Sequence, residues 1–351
     1  MSEILARRLR NQRLTGAKLA TPADVVGWLC AVQAQDYRGA LWAVAQRMPG
    51  GDEAAVEQAL ADRTIVRSWP MRGTLHFCRP EDLRWLLGLL APRVIARGAS
   101  RYRELGLDAK TLVRAEAVLR EALVGCELAR DEAYAALERG KVATAGQRGI
   151  HILGRLAMAG VLCFGAPRGK QQTFALLDDW IPESRTLAPE AALAELARRY
   201  VASHGPALLD DFAWWSGLPT GEARHAIELA GDALVVRTIA GATYHDTPGR
   251  APAAASAAYL LPAYDEYTVG YRDRSAFLDP AHAVRAKNGI FAPVIVLDGR
   301  IAGTWKRITK RDRVAITAEL FAKPTRAQHA QLAAEAERYG AFVGLPATFT
   351  A

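Results

Sequence analysis

The sequence predicts an α+β fold, with three recurring units of short helices closed by a β-hairpin, then a small C-terminal β domain with a packed terminal helix. Three observations predict it. Apolar residues recur at helical spacing in short segments that begin at capping residues. Each group of helices is followed by two alternating runs with turn residues between them. After the small-residue stretch GRAPAAASAA (249–258) the pattern changes to β runs. With 351 residues, 50% hydrophobic and 23% charged, the chain is long enough for two to four small domains with their own cores.

In the first unit, ADVVGWLCAVQ (23–33) has helical spacing behind Thr21 as cap and Pro22 at the first helical position. Asp36 is placed to cap a second helix over 37–48, and a third spans 53–61. TIVRSW (64–69) and GTLHFC (73–78) then alternate as strands around a turn at Pro70 to Arg72. Helix, helix, helix, hairpin is the order of a winged helix. The order returns with helices over 109–123, 129–139 and 146–160, then the strands VLCFG (161–165) and TFALL (173–177) around the wing APRGKQQ. A third pass has helices over 191–204, 208–218 and about 220–231, closed by ALVVRTI and ATYHD. Beyond the small-residue stretch, FAPVIVLDG and RIAGTWKRI flank Asp298-Gly299, a hairpin signal, and a final helix near 325–339 follows Pro324. The expected domains are therefore 1–100, 101–185, 186–248 and 249–351.

The formal charge of +8, with Arg far outnumbering Lys, favours a polyanionic partner, because neutralised phosphates release counterions; an Arg-rich background gives the same balance. Cys30, Cys78, Cys126 and Cys163 stand far apart, with no C-x-x-C pair to suggest a zinc site. Four scattered thiols suit buried positions in a reducing compartment. No segment reads as a signal peptide or membrane span, so a cytoplasmic location is expected. G-x-x-x-x-G-K-[ST], H-E-x-x-H, G-x-S-x-G and a dinucleotide fingerprint after a strand are all missing, which removes most support for nucleotide hydrolases, metalloproteases and α/β-hydrolases. No metal or cofactor is expected.

Five stretches carry a resemblance: AVQAQDYRGALWAVAQR (31–47), VRSWPMRGTLHFC (66–78), ARRYVASHGPALLDDFAWWSGL (197–218), LLPAYDEY (260–267) and NGIFAPVIVLDGRIAGTWKR (288–307). Together they resemble, in order and over nearly the whole chain, the winged-helix DNA-binding family that includes the bacterial AlkZ- and YcaQ-type glycosylases for interstrand crosslinks and bulky N7-alkylguanine adducts. AlkZ-type members carry a Gln-apolar-Gln motif, which Gln33-Ala34-Gln35 matches. The resemblance thus implies catalytic roles for Gln33 and Gln35, and double-stranded DNA with alkylated or crosslinked purines as the partner of a monomer.

The chemistry is compatible with amides. Glutamine offers an acceptor oxygen and two donor hydrogens but no general base at neutral pH. An N7-alkylguanine is already cationic and leaves as a neutral base without a general acid. What remains is to orient a water at the sugar C1′ and to stabilise an oxocarbenium-like sugar, both within reach of amide dipoles. Without the resemblance, Gln33 and Gln35 read as backbone-capping residues at a helix junction.

Other residues divide in the same way. Arg67, Arg72 and His76 lie on or beside the first hairpin, within reach of phosphate or the site, whereas Trp69 and Leu75 read as core. Arg148, His151 and Arg155 fall on the third helix of the second unit, and Arg168 and Lys170 on its wing, the elements that usually meet DNA. Asp265 and Glu266 read as neighbours on a strand, so only one can face a given pocket; either a sugar-supporting or a structural role fits. Lys306 and Arg307, with Lys310 and Arg311, form a basic run that either clamps the backbone or ends a solvated hairpin. His204 and His225 read as isolated histidines. A non-enzymatic winged-helix binder, a regulator or a drug-sequestering resistance protein, is the alternative to a glycosylase.

Overall fold

The computed structural model describes residues 2–169, 171–249 and 256–351; Lys170 and most of the 249–258 stretch lie outside them. Helices and strands mix along the chain. Packing groups residues 1–56 and 193–351 into one compact unit and 57–192 into another.

The first unit opens with the helix Glu3–Asn11, then Pro22–Leu29. The expected cap is present: Thr21 Oγ1 accepts from the Asp24 backbone N–H at 3.1 Å, and the Asp24 carboxylate accepts from Thr21 N–H at 3.1 Å. The helix was expected to run to 33 but stops at Leu29, because Cys30 adopts φ +69, a conformation no helix continues through. Val32–Gln33 is instead a two-residue strand. Asp36 then caps Tyr37–Ala45, accepting from Gly39 N–H at 3.2 Å.

In the same unit the strands Ala347–Thr350, Val314–Leu320, Arg300–Thr309, Val294–Leu297 and Ala258–Leu261 form, in that order, a five-stranded sheet. All neighbours are antiparallel except the first pair. The hairpin read from Asp298-Gly299 is present, with φ +51 and +81 at its two turn residues, as a two-residue turn of this twist requires. Val314–Leu320 and Ala347–Thr350 were not foreseen. The final helix, read after Pro324, is Arg326–Phe342 with Thr325 as its cap. Trp42 meets Tyr339 edge-on at 5.1 Å and Phe342 at 5.0 Å, and its indole N–H donates to the Leu260 carbonyl at 2.7 Å. The helix that follows Gln35 is thereby fixed to the sheet. Pro189–His204, Leu209–Ser216 and Thr220–Ala230 complete the unit, with the hairpin Val235–Ile239 and Ala242–Asp246.

The unit 57–192 contains the hairpin Val66–Met71 and Thr74–Cys78. Its turn is two residues later than expected, at Arg72 (φ +54) and Gly73 (φ +74), and Pro70 lies inside the strand. The register breaks between Ser68 and Met71, where a proline without N–H is tolerated. The helix Pro80–Arg97 and the shorter Ala99–Glu104 were missed. Ala109–Ala122, Arg130–Arg139 and Arg148–Met158 match expectation, and Leu162–Phe164 pairs with Thr173–Leu176 around the wing. An unforeseen strand, Leu128–Ala129, adds to the outer edge of Thr173–Leu176.

Cys30, Cys78 and Cys163 are buried as expected, but Cys126 is exposed, because it lies beyond the end of Ala109–Ala122 rather than on a packed face. No helix among the described residues is long and apolar enough to cross a membrane.

Candidate active site around Gln33

Gln33 is 8% exposed, Ala34 is fully buried and Gln35 is exposed. The three residues span the break between two capped helices, so their geometry is set by what lies behind them. Gln33 N–H donates to Glu266 Oε1 at 2.8 Å, across 233 positions of sequence. The other carboxylate oxygen, Oε2, accepts from the Trp215 indole N–H at 2.9 Å and faces His204 Nε2 at 3.3 Å. His204 Nδ1 lies 2.8 Å from Ser203 Oγ, which in turn lies 2.7 Å from the Arg199 carbonyl. Glu266, His204, Ser203 and Trp215 are all fully buried.

The expectation of Asp265 and Glu266 on a strand is corrected. Asp265 is the N-cap of the short helix Glu266–Val269, and the turn before it passes through Tyr264 at φ +64. At a helix start neighbouring side chains need not alternate, so both carboxylates are buried and both are used. Asp265 binds Arg47 through two bonds of 2.9 Å. Arg47 also donates to the carbonyls of Gln12 at 2.8 Å and Ala43 at 2.7 Å and to Gln12 Oε1 at 2.9 Å. That bidentate pairing is the strong form of a charge-assisted bond.

Aromatic rings enclose the network. Tyr200 stacks on His204 at 4.7 Å, and Trp215 lies 5.4 Å from the same imidazole. Burial pushes the Tyr200 phenol well up, so it keeps its proton and donates to the Gly270 carbonyl at 2.7 Å. Gly270 has an ordinary helical φ of −66, yet a Cβ there would stand 2.5 Å from His204 Cδ2. Arg8 lies over the Tyr271 ring at 3.7 Å and reaches Asp211 at 3.5 Å. Burial pushes the Asp211 carboxyl up, against Arg8 and the backbone N–H groups of Asp273, Leu208 and Arg272.

Comparison with known proteins bears on what this geometry is for. The model of the AlkZ-like DNA glycosylase family matches residues 26–342. The chain belongs to the AlkZ-like DNA glycosylase family. It is 30% identical over 327 residues to the interstrand DNA cross-link repair glycosylase of Streptomyces sahachiroi, covering 87% of each chain. The solved structure of Streptomyces sahachiroi DNA glycosylase AlkZ superposes with a TM-score of 0.83 at 26% identity, over 99% of this chain and 98% of that one.

The remaining sequence-read residues of this AlkZ-like chain fall in varied places. Arg67 is buried, donating to Gln172 Oε1 at 3.0 Å with its guanidinium 4.7 Å over Phe164. His76 is fully buried, with Nδ1 2.9 Å from the Thr74 carbonyl and Nε2 3.3 Å from Arg72. Trp69 stacks on Phe164 at 5.0 Å, and the two border a cavity of about 400 Å³ with Leu75, Phe174, Gln171 and Gln172. Arg148 caps the backbone of Ala143 at 2.9 Å and also bonds Leu105. Arg155 lines a shallower concavity with Arg84 and Pro92. Arg168 is exposed but engaged by Glu132 at 3.0 Å. Lys306 is exposed; Arg307 is half-buried over Trp305 and Tyr339. No group of three or more His, Cys, Asp or Glu among the described residues is arranged to hold a metal ion.

Sequence reasoning missed His204, Trp215 and Arg47. The signal for His204 was the segment SHGP, where a histidine precedes a Gly-Pro break and two downstream tryptophans. Nothing local marks Arg47.

Proposed function

We propose that this chain hydrolyses the N-glycosidic bond of bulky or crosslinked N7-alkylpurines in duplex DNA, and that Gln33 and Gln35 are the residues that meet the substrate. The interstrand cross-link activity in the name of the Streptomyces sahachiroi relative supports the substrate class. The observation that most supports the site is the way the motif is held: Gln33 is fastened by its own backbone N–H to a buried carboxylate.

In this reading the C1′–N9 bond breaks with its electron pair passing to the base, cancelling the charge that the N7 substituent imposed. Water adds to C1′ and yields its proton to solvent. The Gln33 and Gln35 carbonyl dipoles orient that water and stabilise the cationic sugar. Hydrolysis without a Schiff base makes the enzyme monofunctional.

Duplex recognition is assigned to tandem winged helices over 1–100, 101–185 and 186–248, with the β domain over 249–351. The second is the best supported, since a short strand after its first helix and a hairpin after its third join in one three-stranded sheet. Arg155, Arg168, Lys306 and Arg307 are proposed to contact phosphates, Arg168 after leaving Glu132. Lys170 belongs to the same proposal but lies outside the described residues. A monomer working in the cytoplasm completes the reading.

The test is release of N7-methylguanine from alkylated duplex DNA. Gln33→Ala and Gln35→Ala should each lower single-turnover excision by about 100-fold or more with duplex affinity nearly intact. Equal losses of affinity and excision would reassign the motif to docking.

A further inference from the structure

We infer that Glu266 is a positioning residue for the excision step, with His204 and Trp215 fixing its carboxylate, and that it acts on the reaction only through Gln33. The inference rests on the glycosylase reading of Gln33 given above.

Every member of this network is fully buried, so none of Glu266, His204 and Trp215 is placed to touch DNA. The network is nevertheless aimed. One carboxylate oxygen receives Gln33 N–H, and the opposite one receives the indole N–H of Trp215 and faces the imidazole of His204. His204 is itself held by Ser203 and sandwiched against Tyr200, and its backbone carbonyl accepts from Tyr271 at 2.7 Å. The indole N–H of Trp215 can only donate, so this carboxylate oxygen is an acceptor on that side and has the His204 ring beside it. Such an arrangement fixes the carboxylate in rotation and depth, and the segment it holds is the strand bearing Gln33.

A buried acid is an expensive way to hold one backbone N–H. The helix before the strand ends at Cys30 in a left-handed conformation, φ +69, so the chain changes direction immediately ahead of Gln33. Displacing a reacting group by about 1 Å costs on the order of 100-fold in rate. A fixed acceptor at the motif's own N–H prevents that displacement.

The experiment is a double-mutant cycle of Glu266→Gln and Gln33→Ala, with Trp215→Phe as a milder second probe that removes a single donor. Full-length protein is assayed for single-turnover excision of N7-methylguanine, duplex affinity, and hydrogen exchange of the segment 30–36. Glu266→Gln keeps one acceptor oxygen but sets an amide N–H against the indole donor of Trp215. Excision should fall by about 10- to 100-fold at unchanged affinity, with faster exchange in 30–36. Trp215→Phe should do the same to a smaller degree. In the Gln33→Ala background Glu266→Gln should have almost no further effect, because the side chain being positioned is gone. An equal loss in both backgrounds, or an unchanged exchange rate in 30–36, overturns the inference and leaves the catalytic reading of Gln33 standing. Wild-type excision by Gln33→Ala overturns that reading instead, while exchange in Glu266→Gln still reports whether the acid holds the strand.

Discussion

One compact unit has paired charges in its interior as well as at its surface; in the other the pairs named below face solvent. In the unit of 1–56 and 193–351, Arg47–Asp265 and Arg8–Asp211 are pairs whose side chains are at most 2% exposed. In the unit 57–192 the pairs Arg84–Asp178, Arg120–Glu116 and Arg101–Glu104 are all solvent-facing, and the interior around Trp69, Phe164 and Phe174 is aromatic. Arg185–Asp82 is intermediate, with only the acid buried. A buried ion pair seldom adds net stability over apolar packing, since desolvation offsets the attraction. Its use is to fix geometry. The difference therefore marks which unit has a position to defend, and that unit is the one carrying Gln33.

The largest expected effect breaks this comparison directly. Asp265→Ala leaves Arg47 buried without its carboxylate and should lower unfolding free energy by about 3–5 kcal/mol. Arg84→Ala, in the other unit, should change it by less than about 1 kcal/mol. Denaturant unfolding of both variants is the measurement; similar losses would mean the buried pairs carry no special role.

Next in size is DNA affinity. Replacing Lys306 and Arg307 together by Ala should reduce the slope of log affinity against log salt by up to about 2, roughly one per lost phosphate contact. An unchanged slope would assign the basic run to a solvated hairpin, and Arg307 to packing on Trp305 and Tyr339.

The smallest effect is on pH, and it applies to both units. Burial holds His151 in 57–192 and His245 in the other unit below the ordinary histidine value of 6.5, Arg101 adding to the effect at His151. The unfolded chain thus binds protons more readily than the fold, so stability is present above about pH 6.5 and declines as pH falls below it. His245→Gln and His151→Gln should each flatten that decline in unfolding curves taken between pH 7 and 5.

Local chemistry was legible in the sequence wherever a residue acts on its neighbours. Thr21 and Asp36 cap the helices they were read to cap, and Asp298-Gly299 makes its hairpin. Pro80–Arg97 was missed because its apolar residues run too continuously to show one face. Asp265 and Glu266 were misread because LLPAYDEY has strand-like residues on both sides of a turn that only Tyr264's backbone reveals. The Gln33–Glu266 bond joins positions 233 apart, and no periodicity carries that information. Gln33 itself was found through likeness to a family, whereas the residues that hold it required coordinates.

Gly270 ties two distant segments into one heritable unit. Its φ would suit any residue; the space beside it would not, because the imidazole of His204 and the carbonyl of Glu266 already fill it. A lineage cannot alter either position alone without moving the ring that faces Glu266. Substitution at 270 requires His204 to become smaller and the Glu266 carbonyl, 2.7 Å from the same Cβ position, to shift, and either change disturbs the acid that receives Gln33 N–H.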